Sequence, residues 1–290
     1  MIKVLMVKDT NLWASHITVS NIIKNIDKKF ECDDRAFLNY KEGDEKYDIV
    51  YIHCSAIINK RNLTAYRKKN PKSKIIAGIR GGTGITYAPS QAPLLDAVNA
   101  GSSDIYDVLK KYHNKVYLCH AGVDTDLFKP LKSCKNEKFT IGMAGNKSNP
   151  RKNFKLLPKL GFPYKIATKT VDGHYYPHSD MPKFYNSIDA FVLMSEFEGS
   201  AMVVPEAGAC GKPIISTPVG GAKEFLNSFQ LIKGKMRGDG LKEMITKLKK
   251  LKDSPELRSE LGERNRRVAV EKWDWKIKVK QYERLFEGVL

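Results

Sequence analysis

Short apolar runs alternate with amphipathic stretches along the whole chain, and no other feature narrows its fold as far. That order builds βα units around a parallel sheet, whose strands read as continuous apolar runs because helices cover both faces. Strands are predicted at residues 2–7, 48–52, 74–79 and 115–119, and a second set at 139–143, 164–167, 190–194 and 213–216. Helices are predicted at 15–27, 58–69, 90–100, 152–160 and 203–210, with a lysine-rich helix at 242–252. A loop from Ala121 to Pro130 separates the two sets, which places one domain at 1–127 and another at 128–290. The last stretch, about 273–290, carries Trp275, Val279, Tyr282 and Phe286 on one helical stripe. Such a stripe is a packing face, and it is expected to lie back on the first domain.

At 290 residues the chain is long enough for two domains, each with its own core. Its apolar runs fall short of a membrane span, and the apolar start at Ile2–Val7 is too short for a signal peptide. Five scattered cysteines without a Cys-x-x-Cys pair exclude a zinc or disulfide framework and fit a reducing cytoplasm. The formal net charge is +18, divided as +5 over residues 1–127 and +13 over the remainder. Residues 128–171 alone hold eleven basic side chains and one acid. A lysine-rich solvated face is one account of this excess. The other is a second polyanion, either nucleic acid or an anionic membrane surface.

The densest chemistry lies between Phe184 and Pro213. A predicted strand runs into the small-residue loop Gly199-Ser200-Ala201 and then opens a helix. Backbone N–H groups at such a helix start form an anion site suited to a diphosphate. Glu198 and Glu206 flank it, eight positions apart. On the residues alone two roles are open to this pair. They accept hydrogen bonds from sugar or ribose hydroxyls, or Glu206 caps its helix while Glu198 is solvated.

The run from Phe184 to Glu224 resembles the signature of glycosyltransferase family 4, whose Glu-x7-Glu element is matched by Glu198 and Glu206. The segments Ala207–Ile215, Gly220–Glu224 and Gly122–Pro130 match it too, the last at the interdomain linker. The resemblance implies an α/β GT-B fold, two Rossmann-like parallel-sheet domains facing a cleft, and a retaining transfer from a nucleotide diphosphate sugar. It gives Glu206 the ribose hydroxyls and Glu198 the transferred sugar. The backbone of Gly199, Ser200, Ala201, Met202 and Val203 would receive the sugar and the distal phosphate. The family clamps the diphosphate with a Gly-Arg and a following Lys. Here Gly145 is followed by Asn146, so Lys152, with Arg151 beside it, takes the second clamp position and Lys147 substitutes for the arginine. No resident metal or cofactor is implied. Thr168-Lys169 and Tyr175-Tyr176 are candidates for contacting the base.

The first half departs from the family. Its first strand leads into Lys8–His16 without a glycine, and Arg80-Gly81-Gly82-Thr83-Gly84 stands where a histidine is often found. Arg80, at a strand's end before a glycine-rich loop, is placed to face the cleft and a phosphate. The alternative is a surface arginine at a turn. His53 ends another strand and competes with it for the catalytic position, although a lone histidine there is more often packed. The family's acceptor is a saccharide or lipid-linked saccharide, handled in the cytoplasm or peripherally at an anionic membrane face. The runner-up acceptor is DNA with hydroxylated bases, for which Trp13, Tyr51 or Tyr87 would stack on a flipped base. A third reading is an inactive nucleotide-sugar or nucleic-acid binding protein.

Overall fold

The computed structural model describes residues 1–9, 14–38, 41–54, 60–131, 136–168 and 177–290, with backbone only at 82, 83 and 87. Strands are β1 (Ile2–Lys8), β2 (Phe30–Ala36), β3 (Ile49–Ile52), β4 (Lys74–Ile79), β5 (Ala97–Ala100) and β6 (Val116–Leu118), then β7 (Ile141–Ala144), β8 (Tyr164–Ala167), β9 (Ala190–Leu193) and β10 (Ile214–Ser216). Helices are α1 (Ala14–Asn25), α2 (Lys60–Lys69), α3 (Gly82–Gln91), α4 (Ser103–Leu109), α5 (Met181–Asn186), α6 (Val203–Ala209), α7 (Ala222–Phe225), α8 (Asp239–Asp253), α9 (Pro255–Val268) and α10 (Trp275–Glu287).

Two compact units result: Met1–Gly122 with Trp275–Leu290, and Val123–Asp274. The first contains a six-stranded sheet of order β2-β1-β3-β4-β5-β6, the second a four-stranded sheet of order β10-β9-β7-β8. Every strand pair is parallel. The chain leaves the first unit at Gly122 and returns at Trp275, whereas the sequence reading set the division at 127/128. A side chain on Gly122 would collide with the Trp275 ring (2.8 Å), so these two ends of the first unit meet through a glycine. On the second unit's side Val123 bridges Asp274, the Val123 N–H donates to the Trp273 carbonyl at 2.9 Å, and the Thr125 hydroxyl donates to Asp274.

Strand alternation decides which layer each side chain joins. In β9 Phe191 and Leu193 pack with Tyr185, Val204 and Trp273, while Ala190 and Val192 pack with Leu157, Met244 and Leu248 on the opposite face. In the first unit all of β3 is buried, and α10 contributes Val279, Tyr282 and Phe286 at no exposure. The Tyr51 ring meets Tyr282 and Phe286 edge-on, with centroids 6.1 and 5.5 Å away.

Several elements differ from the sequence reading. Residues 90–100 are not one helix but the end of α3, a 3-10 turn at Ala92–Leu94 and β5. Residues 152–160 form 3-10 turns instead of an α-helix, with Pro158 inside the longer one. The stretch from Gly82 is the first turn of α3, not a loop. Gly81 before it is in an ordinary extended conformation, with φ −178°.

Candidate active site

In open parallel sheets ligands bind outside the carboxyl ends of the strands, where the strand order reverses. In the second sheet β8 lies on one side of β7 and β9 on the other, so the reversal falls between β7 and β9. Gly145 directly follows β7, and Ser195 to Glu198 follow β9 within a few residues. Topology alone therefore brings two predicted segments to one place.

The local contacts are specific. Lys152 reaches back across Gly145, whose φ is +136°, and a side chain there would stand 3.2 Å from the lysine's Cδ, Cε and Nζ. The Lys152 ammonium donates to Glu198 Oε1 at 2.6 Å, and the Ser195 hydroxyl donates to the same oxygen at 2.6 Å. Both charged side chains are 16% exposed, so this ion pair is screened less than a surface one. Two further bonds tie the loops together: Glu196 N–H to the Arg151 carbonyl (2.9 Å), and the Asn153 amide to the Met194 carbonyl (2.9 Å). Asn153 takes a left-handed conformation (φ 57°), which asparagine tolerates better than most residues.

Gly220 and Gly221 explain themselves here. Gly220 has φ +51°, and a side chain on it would lie 2.9 Å from the Glu198 carbonyl oxygen. One on Gly221 would lie 2.8 Å from the Ser200 carbonyl oxygen. The 217–221 turn thus supports the 198–201 loop backbone against backbone. That loop itself holds Ala201 at φ 49°, a strained conformation for a residue with a side chain.

Glu206 sits in the first turns of α6 and is only 6% exposed. It does not cap the helix. The Tyr185 hydroxyl donates to its Oε2 at 2.7 Å, and His178 Nε2 stands 3.0 Å from its Oε1. Each carboxylate oxygen keeps a second lone-pair site for a hydroxyl donor. Burial and the Glu206 charge together hold the Tyr185 phenol well above its ordinary pKa, so it stays a donor. Burial opposes the charged form of His178, yet the hydrogen bond and charge of Glu206 and the charge of Asp124 outweigh it, and its pKa is raised.

A histidine whose folded pKa exceeds its unfolded value near 6.5 contributes stability below that pH, and the contribution is lost as pH rises through the raised value. His178→Gln is expected to flatten the fall in melting temperature as pH rises above the ordinary histidine value near 6.5. Parallel wild-type and variant profiles would contradict this. Sequence reasoning missed His178 because nothing in its surroundings marks it. Tyr185 lay inside the signature, but its partner is set by the packing of α5 on α6.

The remaining candidates fall as follows. Lys147 and Arg151 are exposed on the 146–152 loop, whose turns are made by Asn146 Oδ1 accepting from Ser148 N–H (3.0 Å) and Asn149 Oδ1 from Arg151 N–H (3.1 Å). The position expected to hold an arginine thus serves the turn. Gly199 to Met202 lead into α6, which Val203 opens. Thr168 is buried beside Lys147, while Lys169, Tyr175, Tyr176 and Trp13 lie outside the described residues, as does the Tyr87 side chain.

Arg80 is a correction: its guanidinium is turned into the first unit. It donates to the Cys119 carbonyl (3.0 Å), the Tyr51 hydroxyl (2.8 Å), Asn99 Oδ1 and the Tyr282 hydroxyl (3.2 Å). These acceptors take Nη1 and Nη2 inside the first unit, while the buried Nε has no hydrogen-bond partner. His53 is buried, and burial and the nearby Arg80 charge hold its pKa well below the ordinary value, so it is neutral. Tyr51 is fully buried and its hydroxyl donates to Asn99 Oδ1 at 2.9 Å, which removes it as a stacking platform. Among the described residues no group of three or more His, Cys, Asp or Glu could hold a metal ion, and no helix is long and apolar enough to cross a membrane. The four described cysteines are free, and burial pushes Cys119 up to about 12.

The fold is that of the GT-B glycosyltransferases. HepE from Anabaena, solved in complex with UDP and glucose, superposes with a TM-score of 0.76 over 99% of this chain and 100% of that one, at 13% identity. Residues 120–268, about half of the chain, match the family model of glycosyl transferases group 1, and the chain belongs to that family. Its relatives include sulfoquinovosyl transferase SQD2 from Arabidopsis thaliana, 26% identical over 254 residues, covering 73% of this chain and 47% of that protein. Another is a probable sucrose-phosphate synthase from Thermosipho melanesiensis, 25% identical over 219 residues, covering 64% of this chain and 50% of the other. The chain spans about half the length of these curated relatives.

Proposed function

We propose that the chain moves a sugar from a nucleotide diphosphate sugar to an acceptor hydroxyl with retention of configuration, and that the acceptor is a saccharide or lipid-linked saccharide. The observation that carries this reading is the Gly145–Lys152–Glu198–Ser195 cluster at the reversal of the second sheet, followed along the chain by Glu206, held by Tyr185 and His178 in the first turns of α6. Family membership and the UDP bound to HepE support a nucleotide-sugar donor.

In this mechanism Glu206 accepts from the ribose hydroxyls, and the backbone of Ser200 to Val203 meets the distal phosphate and the sugar. Lys152, assisted by Arg151, neutralises the charge that grows on the diphosphate as the anomeric carbon–oxygen bond breaks. The acceptor oxygen bonds to that carbon on the same face, and its proton passes to the departing phosphate oxygen. Glu198 orients the sugar and, once Lys152 turns to the phosphate, faces the positive charge developing on the ring. The chain's own cations supply the charge, so the reaction draws on no resident metal or cofactor.

Thermal melting against a panel of nucleotide sugars tests the reading. A ligand that binds only the folded state raises the melting temperature by mass action. One donor is expected to shift it, and Glu206→Ala is expected to abolish the shift. No shift with any donor at millimolar concentration would remove the reading.

A further inference from the structure

Above the carboxyl ends of β9 and β10 lies a cavity of about 480 Å³, lined by Ser195 and Glu196, by Thr217 to Val219, and by residues 233–237. Ser195 belongs to both places, since the same residue lines the cavity and donates to Glu198. The Thr217 hydroxyl donates to the Ser195 carbonyl at 2.7 Å and fixes the floor.

The 233–237 segment is a built ledge. The N–H groups of Lys233 and Gly234 both donate to Glu243 Oε2, at 2.7 and 3.3 Å. Lys247 joins that carboxylate to the Leu231 carbonyl, at 2.7 and 2.6 Å. A side chain on Gly234 would stand 2.5 Å from the Gly240 nitrogen, so the ledge lies backbone to backbone on the first turn of α8.

On this ledge Lys233, Lys235 and Arg237 alternate, all exposed along the cavity rim. Among the described residues the one acid lining the cavity is Glu196, whose carboxylate is 3.5 Å from Arg237 Nε, with the arginine side chain 75% exposed. Such a pair binds weakly and leaves most of the positive charge uncompensated. Neutral sugar hydroxyls have no use for three cations on a rigid rim. A carboxylate, sulfonate or phosphate does.

We propose that this cavity receives an acidic group carried by the transferred sugar. The assignment rests on the donor-site reading above and adds the class of sugar to it. Calorimetric titration of the wild type and of the triple variant Lys233→Gln, Lys235→Gln, Arg237→Gln tests it. The ligands are UDP-glucose with UDP-glucuronate, GDP-mannose with GDP-mannuronate, and UDP, GDP and ADP alone.

The wild type is expected to bind the acidic member of a pair about tenfold more tightly than the neutral one. The triple variant, with an unchanged melting temperature because its substitutions are exposed, is expected to bind both members equally and the free diphosphate as before. Equal binding of both members by the wild type would overturn the assignment. So would equal weakening of every ligand in the variant, which is the mark of a diffuse positive field. A wild type that binds none of the three nucleoside diphosphates would overturn the donor-site reading itself.

Discussion

Lys152→Met is expected to lower sugar transfer, or donor hydrolysis without acceptor, by about 10²–10³-fold, the usual cost of removing one fixed stabiliser of developing negative charge. Methionine keeps the stem that lies across Gly145 and removes only the ammonium. Glu198 would then retain Ser195 as donor, so the stability loss should stay within about 1–3 kcal/mol. The fall should appear mainly in kcat, because the charge to be met is greatest in the transition state. Activity within a few-fold of wild type, in a variant folded at the assay temperature, would show that Lys152 serves only its ion pair.

Arg80→Met is expected to destabilise the chain by about 3 kcal/mol while leaving nucleotide binding by the second unit intact. The guanidinium is shared among acceptors on β3, β5, the segment after β6, and α10; methionine would leave the Cys119 carbonyl without this donor inside the first unit, while Asn99 Oδ1 keeps only the Tyr51 hydroxyl. Chemical denaturation and a nucleotide titration on the same variant separate the two effects. A stable variant with lost transfer would return Arg80 to the phosphate role that its place at a strand end suggested.

How far the sequence could be read follows from where each signal came from. Strands flanked on both sides, such as β3, β4, β7 and β9, must be apolar throughout, and their runs were plain. The edge strand β2, Phe30-Glu-Cys-Asp-Asp-Arg-Ala36, pairs only with β1 and is largely polar, so it carries no such run. Asp34 there takes the Lys8 ammonium at 2.8 Å, and Asp33 accepts from the Tyr47 hydroxyl at 2.6 Å. The short strand β5 disappeared into an apparent helical stretch because its four residues lack a period of their own. Helix α3 hid behind Gly82, Gly84 and Pro89, poor helix formers that tertiary packing overrides.

In the site, Gly145, Lys152, Glu198 and Ser195 were legible through motif spacing and strand ends, although Ser195 had no assigned role. Arg80 was misread for a physical reason. A strand's last side chain can turn outward to a ligand or inward beneath a crossing helix, and the deciding partner, Tyr282, lies 202 positions away in α10.

That helix also sets an order of events during synthesis. The ribosome emits chain from the amino end, and domains fold as units as they emerge. The second unit, Val123–Asp274, is complete before α10 exists, whereas the first has all its strands yet lacks Tyr282, Leu285 and Phe286 from its core. The half that is made first is therefore the half that finishes last. Until α10 has emerged, the aromatic face of Tyr51 and the polar groups around Arg80 await their cover. A chain that ends just past Asp274, once released from the ribosome, should accordingly present a protease-resistant second unit and a digestible first one.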